Sequence, residues 1–155
     1  MILVTTLYLL SLVVWIGGII FFSLVAAPSI FKVLPPEYAG KAVTAIFPKY
    51  YPVGIISGLV AFASLIFSAA RTSQWPILKI LLVLSMITLT VYSSLVTHPK
   101  VRALKEEIEI ATGKTDVVEL KKEFDRVHRA SVINNVIVLL LGIILIFATA
   151  RQLTL

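Results

Sequence analysis

The sequence contains no cysteine, and charged residues are missing from four long stretches of it. Without cysteine the chain forms no disulfide, iron–sulfur cluster or thiolate metal site, although this leaves the redox compartment open. Charged residues make up only 14% of the 155 positions, compared with about 25% in an average soluble domain. The remaining sequence is 59% hydrophobic with a mean hydropathy of +1.00, which indicates a membrane protein.

The charge-free stretches predict four transmembrane helices. A helix rises 1.5 Å per residue, so about 20 residues cross a hydrocarbon core of about 30 Å. Each stretch is close to that length or longer. The first one is a poor signal peptide, because it lacks a basic start and is too long for the apolar region of such a peptide. The charge-free stretches are 1–31, 50–70, 80–96 and 130–150.

The predicted fold is all-α: an antiparallel four-helix bundle that forms one integral membrane domain over residues 1–155. The segment after helix one mixes lysines with aromatic residues such as Phe47, which predicts a short interfacial helix bent at Pro48. Charged residues with helical spacing over 99–128 predict a cytoplasmic helical hairpin that turns at Gly113. The predicted transmembrane helices are 2–31, 50–71, 76–97 and 129–151.

Basic residues are concentrated on one side of this predicted topology. Eleven of the fourteen Lys and Arg residues lie in the first and third loops, whereas only Arg71, Lys79 and Arg151 lie on the other side. The positive-inside rule therefore places loops one and three in the cytoplasm and both termini outside. The basic segments alternate with acids or aromatics, so they suit a membrane surface, and no nucleic-acid partner is expected.

Small residues mark the positions where helices are expected to pack closely. Inside lipid, helices associate through close backbone contact at glycine and other small side chains. Gly17 and Gly18 in helix one, and Gly54 and Gly58 in helix two, are the predicted packing positions. The pattern does not say whether the contact lies within the bundle or joins the chain to a second copy or another membrane protein.

A polar cluster is predicted where the charged hairpin runs into helix four. Asp125, His128, Ser131 and Asn135 fall on one helical face at the level of the headgroups. The simpler interpretation is that His128 and Asn135 make hydrogen bonds between helices. The functional interpretation adds His98, which ends helix three on the same side. Two facing histidines are able to ligate haem or a metal, with Asp125 orienting His128.

The sequence shows no pattern that points to catalysis. The charge-free stretches carry no carboxylate or base of the kind that ion-coupled pumps use. No nucleophile–base pair, phosphate-binding loop or zinc spacing is present, so no catalytic residue is predicted. The leading hypothesis is a non-enzymatic membrane protein that is a structural partner or binds a small apolar ligand. The alternative is a haem- or metal-binding redox protein that uses His98 and His128.

Several motifs resemble the transmembrane protein 205-like family. They are VWIGG in helix one, FKVLPPEYAG after it, IFPKYY before helix two, and F-x-x-x-H followed seven residues later by Asn. The spacing of Leu-Pro to Phe-Pro-x-Tyr and of His to Asn is the most specific part. The matching positions are Trp15, Gly17, Leu34, Pro35, Gly40, Phe47, Pro48, Tyr50, Phe124, His128 and Asn135.

The resemblance mainly implies topology. In bacteria and archaea the family consists of four-helix membrane proteins of unknown function, which implies a prokaryotic inner membrane and no known enzymatic activity. An animal relative has an acid where this chain has His98, which leaves His128 as the stronger ligand candidate. A more distant likeness is to the copper-resistance membrane domain and the haem-type membrane protoporphyrinogen oxidase. Those proteins carry histidines in their first helices, and this chain has none there.

Overall fold

The structure, a computed structural model, describes residues 1–111 and 114–153, and its regular elements within them are helices joined by short connections. At two places a turn of π-helix connects one α-helix directly to the next. In chain order the elements are α1 (Ile2–Phe21), a first π segment (Phe22–Ala26), α2 (Ala27–Val33), α3 (Pro36–Thr72), α4 (Ile77–Tyr92), a second π segment (Ser93–Thr97), α5 (His98–Ile110) and α6 (Lys114–Leu153).

Within the described residues, four helical spans are long and apolar enough to cross a membrane: Ile2–Val33, Pro36–Thr72, Ile77–Ile110 and Asp116–Arg151. This confirms the predicted four-helix membrane bundle. Many large apolar side chains point outwards from it. Leu24 is 69% exposed, for example. Such side chains are stable only against lipid, so the protein is a multi-pass membrane protein in contact with the bilayer.

The core of the bundle lies where all four spans meet. The first span packs along the second, the second along the third and the third along the fourth, and the fourth returns to the first. Trp15 and Ile19 of α1, Ala61 of α3, Met86 of α4 and Leu145 of α6 are all buried there. The first and last spans are therefore neighbours, although the sequence separates them by two others.

Glycines of α3 allow Trp15 to pack against the backbone of that helix. A Cβ atom added to Gly54 would lie 2.9 Å from Trp15 Nε1, and one added to Gly58 would lie 2.7 Å from Trp15 Cζ3. These two glycines thus face a helix of the same chain. Around Gly17 and Gly18 no such atom lies within 4 Å, so the close approach predicted there is not seen within the described residues.

The π segments stand directly before prolines. Pro28 lies in the first turn of α2, and Pro99 lies in the first turn of α5. Proline has no N–H, and its ring clashes with the carbonyl four residues earlier, which is Leu24 for Pro28 and Leu95 for Pro99. Widening the preceding turn relieves that clash and lets the helix continue. Pro28 and Pro99 are therefore both accommodated by a π turn in the residues that precede them.

The predicted interfacial helix is not a separate element. Residues from Pro36 onwards form the first turns of α3, which runs on through Pro48 and Pro52. Since Pro48 has no N–H, the carbonyl of Thr44 loses its partner within the helix. The imidazole of His98 hydrogen-bonds to the backbone of Thr44. A contact from another span thus compensates for the bond that the proline removes.

Helix α5 and the beginning of α6 form the predicted helical hairpin. Lys100 Nζ lies 2.8 Å from Glu123 Oε1 and joins the two arms. Within α5, Arg102 and Glu106 form an ion pair one helical turn apart, at 2.9 Å. Glu109 Oε1 lies 3.9 Å from Lys41 Nζ of α3. The predicted turn residue, Gly113, lies outside the described residues.

Candidate functional site

A cavity of about 290 Å³ lies inside the bundle, between its core and the end that carries the hairpin. We call it the central cavity. All four spans contribute to its wall, and both π segments do so as well. Its lining residues are Val14, Trp15, Gly18, Ile19, Phe22, Ser23, Ala27, Phe31, Val43, Phe47, Tyr50, Tyr51, Val53, Gly54, Thr90, Ser93, His98, Val101, His128, Ser131, Val132, Asn135, Val136 and Val138.

Four of the five polar residues singled out from the sequence meet at this cavity. His98, His128, Ser131 and Asn135 all line it, whereas Asp125 is exposed and does not. The lining also contains many ring side chains and no Asp, Glu, Lys or Arg. A wall of aromatic rings with a few uncharged polar groups is typical of sites for small, mainly apolar ligands.

Asn135 connects three spans at the wall of the central cavity. Its side-chain amide donates a hydrogen bond of 3.0 Å to Ser23 Oγ in the first π segment. Its side-chain carbonyl accepts a hydrogen bond of 3.0 Å from the Tyr50 hydroxyl of α3. Both halves of the amide are therefore satisfied, which fits the interpretation of Asn135 as a polar contact between helices.

The neighbouring asparagine makes an equivalent contact on the other side. Asn134 donates a hydrogen bond of 2.9 Å from Nδ2 to Ser93 Oγ in the second π segment. Next along the wall, the Tyr51 hydroxyl hydrogen-bonds to the side chain of Ser131. Consecutive amides of α6 thus hold one serine from each π segment, and this fixes the wall of the cavity on two sides.

His98 lies between the central cavity and a second, more polar cavity of about 350 Å³ near the hairpin. Its ring packs between Phe47 and Tyr51, with centroid distances of 5.1 and 5.8 Å. Its Nε2 atom is buried and has no hydrogen-bond partner among the described residues. A buried nitrogen without a hydrogen-bond partner is uncommon in folded proteins.

His128 lies at the exposed rim of the central cavity. Its ring is parallel to that of Phe124, with an interplanar angle of 3° and a centroid distance of 5.8 Å. The predicted orienting contact from Asp125 is not seen. The ring of His128 stacks on that of Phe124 instead. Across residues 1–111 and 114–153, no group of three or more His, Cys, Asp or Glu side chains is arranged to hold a metal ion.

Several residues of the cavity wall were not singled out from the sequence as parts of a site. Ser23, Ser93 and Trp15 are among them. The signal that identifies the two serines is the proline that follows each of them, because it creates the π turn in which the serine lies. Trp15 is signalled by the small residues Gly54 and Gly58, against which it packs.

Comparison with known proteins places residues 10–109 in one family, described as a domain of unknown function, DUF4149. The matched segment covers three of the spans and includes His98, while His128 and Asn135 lie beyond it. Neither the search of curated proteins nor the search of solved structures found a match. Since the family match extends over more than half of the chain, the protein belongs to the DUF4149 family of domains of unknown function.

Proposed function

We propose that the protein is a non-enzymatic membrane protein that binds a small, uncharged and mostly apolar ligand in the central cavity. The observation that carries this proposal is the cavity itself. Its volume of about 290 Å³ is at the lower end of the range of about 300–1,000 Å³ for ligand pockets. Its wall provides rings for an apolar body and hydroxyl, amide and imidazole groups for one polar end.

The rim of the cavity suggests how such a ligand enters. Val14 and Phe31 of the first span, and Val132 and Val136 of the last, line the cavity and are also exposed on the surface of the bundle. That surface is apolar and faces lipid. A ligand dissolved in the bilayer therefore enters sideways, between the first and last spans, without crossing a layer of water.

The two tryptophans allow this proposal to be tested directly. Trp15 lines the central cavity, and Trp75 is 57% exposed at the other end of the bundle. In a Trp75→Phe background, Trp15 is the only tryptophan. We would titrate this variant with a short-chain alkyl benzoquinone, an uncharged ring that quenches tryptophan fluorescence on contact. Saturable quenching is the expected result.

The adjacent glycines supply a matched pair of variants. Gly18 lines the cavity and Gly17 does not, and both have open space where a side chain would begin. Gly18→Leu is expected to fill the cavity and to raise the dissociation constant obtained from the quenching titration about tenfold or more. That change corresponds to about 1.4 kcal/mol of binding free energy. Gly17→Leu is expected to behave as the parent. Equal quenching in the two variants would overturn the proposal, because the probe would then be meeting Trp15 outside the cavity.

A haem- or metal-binding redox protein is the second candidate, and one observation favours it: His98 and His128 line the same cavity. Haem would be held by these two imidazoles and would supply one-electron chemistry. The small volume of the cavity suits a small ligand better than haem. If this second candidate is correct, protein from cells supplied with haem and iron shows a Soret band that is lost in His128→Ala. A colourless protein would exclude haem as the ligand.

The resemblance to the transmembrane protein 205-like family is part of the same proposal. Five of its matching positions line the central cavity: Trp15, Phe47, Tyr50, His128 and Asn135. The motif is thus concentrated at the proposed site. The resemblance also supports a prokaryotic inner membrane as the location.

Association with a second copy or another membrane protein is the other form of the non-enzymatic proposal. Crosslinking in the native membrane tests it, because the expected adduct contains the chain with itself or with a partner. An unlinked chain would leave ligand binding as the proposed role, since the titration of Trp15 does not depend on assembly.

A further inference from the structure

The end of the bundle opposite the hairpin contains a buried lysine without a counter-ion. Lys79 in the first turn of α4 is only 7% exposed. Its ammonium group lies 6.0 Å from the centre of the Tyr8 ring, and no ion pair or hydrogen bond joins it to another described residue. The lysine is thus enclosed by the bundle without an ion-pair partner, and an anion that reached its ammonium group would be attracted to it.

The chain itself has no acidic side chain for this role. Its eight acidic residues are Glu37 and seven positions between 106 and 125, and all of them belong to the hairpin end. The other two basic residues at the Lys79 end are Arg71 and Arg151. Since no acidic side chain lies at this end of the bundle, a bound anion would supply the negative charge that Lys79 lacks.

Lys79 lines a cavity of about 440 Å³ that has many hydroxyl groups. Ser64 is buried there and donates no hydrogen bond to a described residue, so its hydroxyl is available. Thr149 donates to the carbonyl of Leu145 and must accept from Tyr8, which leaves the Tyr8 oxygen free to accept. The other lining residues are Val4, Thr5, Leu65, Ser68, Ala69, Thr72, Gln74, Trp75 and Pro76.

We propose that this cavity binds a phosphate-type oxyanion next to Lys79. The ammonium supplies the charge, the Ser64 hydroxyl supplies a donor, and the first turn of α4 adds the positive end of a helix. Trp75 at the rim is exposed, as tryptophans at the headgroup level are. The oxyanion is either the phosphodiester of a lipid headgroup or free phosphate, since both present the same group to Lys79.

Native mass spectrometry of the detergent-purified protein tests the lipid form. Wild-type protein is expected to retain phosphatidylglycerol at least about fivefold better than a diacylglycerol with the same acyl chains. The absence of this preference, together with no response to phosphate, would overturn the proposal without any variant.

Three variants locate the site. Lys79→Met keeps the length of the side chain and removes its charge, and it is expected to weaken phosphatidylglycerol binding about tenfold. Lys79→Arg is expected to restore binding. Arg71→Met is the matched control, because it removes an equal charge from an exposed residue at the same end of the bundle, and it should change binding by less than about twofold. Equal losses in Lys79→Met and Arg71→Met would overturn the proposal in favour of a general surface charge effect.

Inorganic phosphate distinguishes the two sources. If phosphate raises the melting temperature of the wild type but not of Lys79→Met, relative to sodium chloride of the same ionic strength, the oxyanion comes from solution. If only phosphatidylglycerol acts through Lys79, the oxyanion is a lipid headgroup. Each of these results supports the site. Because removing an unpaired buried charge is not expected to destabilise the fold, Lys79→Met should remain folded in both experiments.

Discussion

The side-chain amide of Asn135 donates a hydrogen bond of 3.0 Å to the hydroxyl of Ser23, which lies 112 residues earlier in the chain. The contact joins the last span to the π segment of the first. Asn135 also accepts a hydrogen bond from Tyr50, so one amide connects three spans. Because all three residues line the central cavity, the bonds that stabilise the bundle also shape the proposed binding site.

The first prediction concerns the strength of this contact. Asn135→Leu is expected to lower the free energy of unfolding in detergent by about 0.6–2 kcal/mol, the range for polar contacts between membrane helices. A double-mutant cycle with Ser23→Ala should return a coupling energy of at least about 0.5 kcal/mol. The control is Ile133→Leu, an exposed position on the same helix, which should change stability by less than about 0.5 kcal/mol. Independent effects of Asn135→Leu and Ser23→Ala would show that the hydrogen bond contributes nothing.

A second prediction concerns Pro28 and the π turn that precedes it. Pro28→Ala restores the N–H that the Leu24 carbonyl lacks, so the turn is expected to become α-helical. A π turn accommodates one residue more than an α-helical turn. When that residue joins the regular α-helix, the two parts of the first span rotate relative to each other by about 100°. Ser23 then no longer faces Asn135.

The readout for Pro28→Ala is the same double-mutant cycle. The coupling between Asn135 and Ser23 is expected to fall below about 0.5 kcal/mol in this background. Pro36→Ala is the control, because proline at the start of α3 replaces no helical hydrogen bond and its removal should leave the coupling unchanged. Unchanged coupling in Pro28→Ala would mean that the proline does not cause the π turn.

A third prediction tests the close contact between α1 and α3. A Cβ at Gly58 would lie 2.6 Å from Ile87 Cγ1 and 2.7 Å from Trp15 Cζ3, so Gly58→Ala forces both neighbours to move. The expected loss is about 1–3 kcal/mol, which is typical of overpacking. Gly17→Ala meets no atom within 4 Å and should be neutral, or stabilising by up to about 1 kcal/mol. Denaturation of the two variants in the same detergent gives the comparison; equal stabilities would contradict the packing seen at Gly58.

The four spans could be predicted from the sequence because their cause is local. An uncharged stretch of sufficient length must satisfy its own backbone hydrogen bonds within lipid, and a helix does this without any partner. The boundary before helix two could not be predicted in the same way. Pro48 and Pro52 normally interrupt a helix, but α3 continues through both, and at Thr44 the backbone bonds to His98 of another span instead.

The candidate site was only partly visible in the sequence for the same reason. His128, Ser131 and Asn135 share a helical face, so their proximity follows from spacing alone. That His98 lines the same cavity depends on antiparallel packing, and that Ser23 is the partner of Asn135 depends on a contact between the first and last spans. Lys79 counted from the sequence only as a marker of topology, since its burial without a counter-ion is a property of the folded bundle.

A fourth prediction concerns the orientation of the bundle in the membrane, which rests on the distribution of its basic residues. The hairpin end carries eleven Lys and Arg residues, and the end with both termini carries three. A reporter that is active only in the cytoplasm should therefore be silent when it is fused after the last residue, and active when it is inserted after Ala111. Both fusions must be present at equal levels in the membrane fraction for the comparison to hold. The opposite pattern would invert the topology, and it would place the Lys79 cavity against the cytoplasmic leaflet, where anionic lipids are abundant.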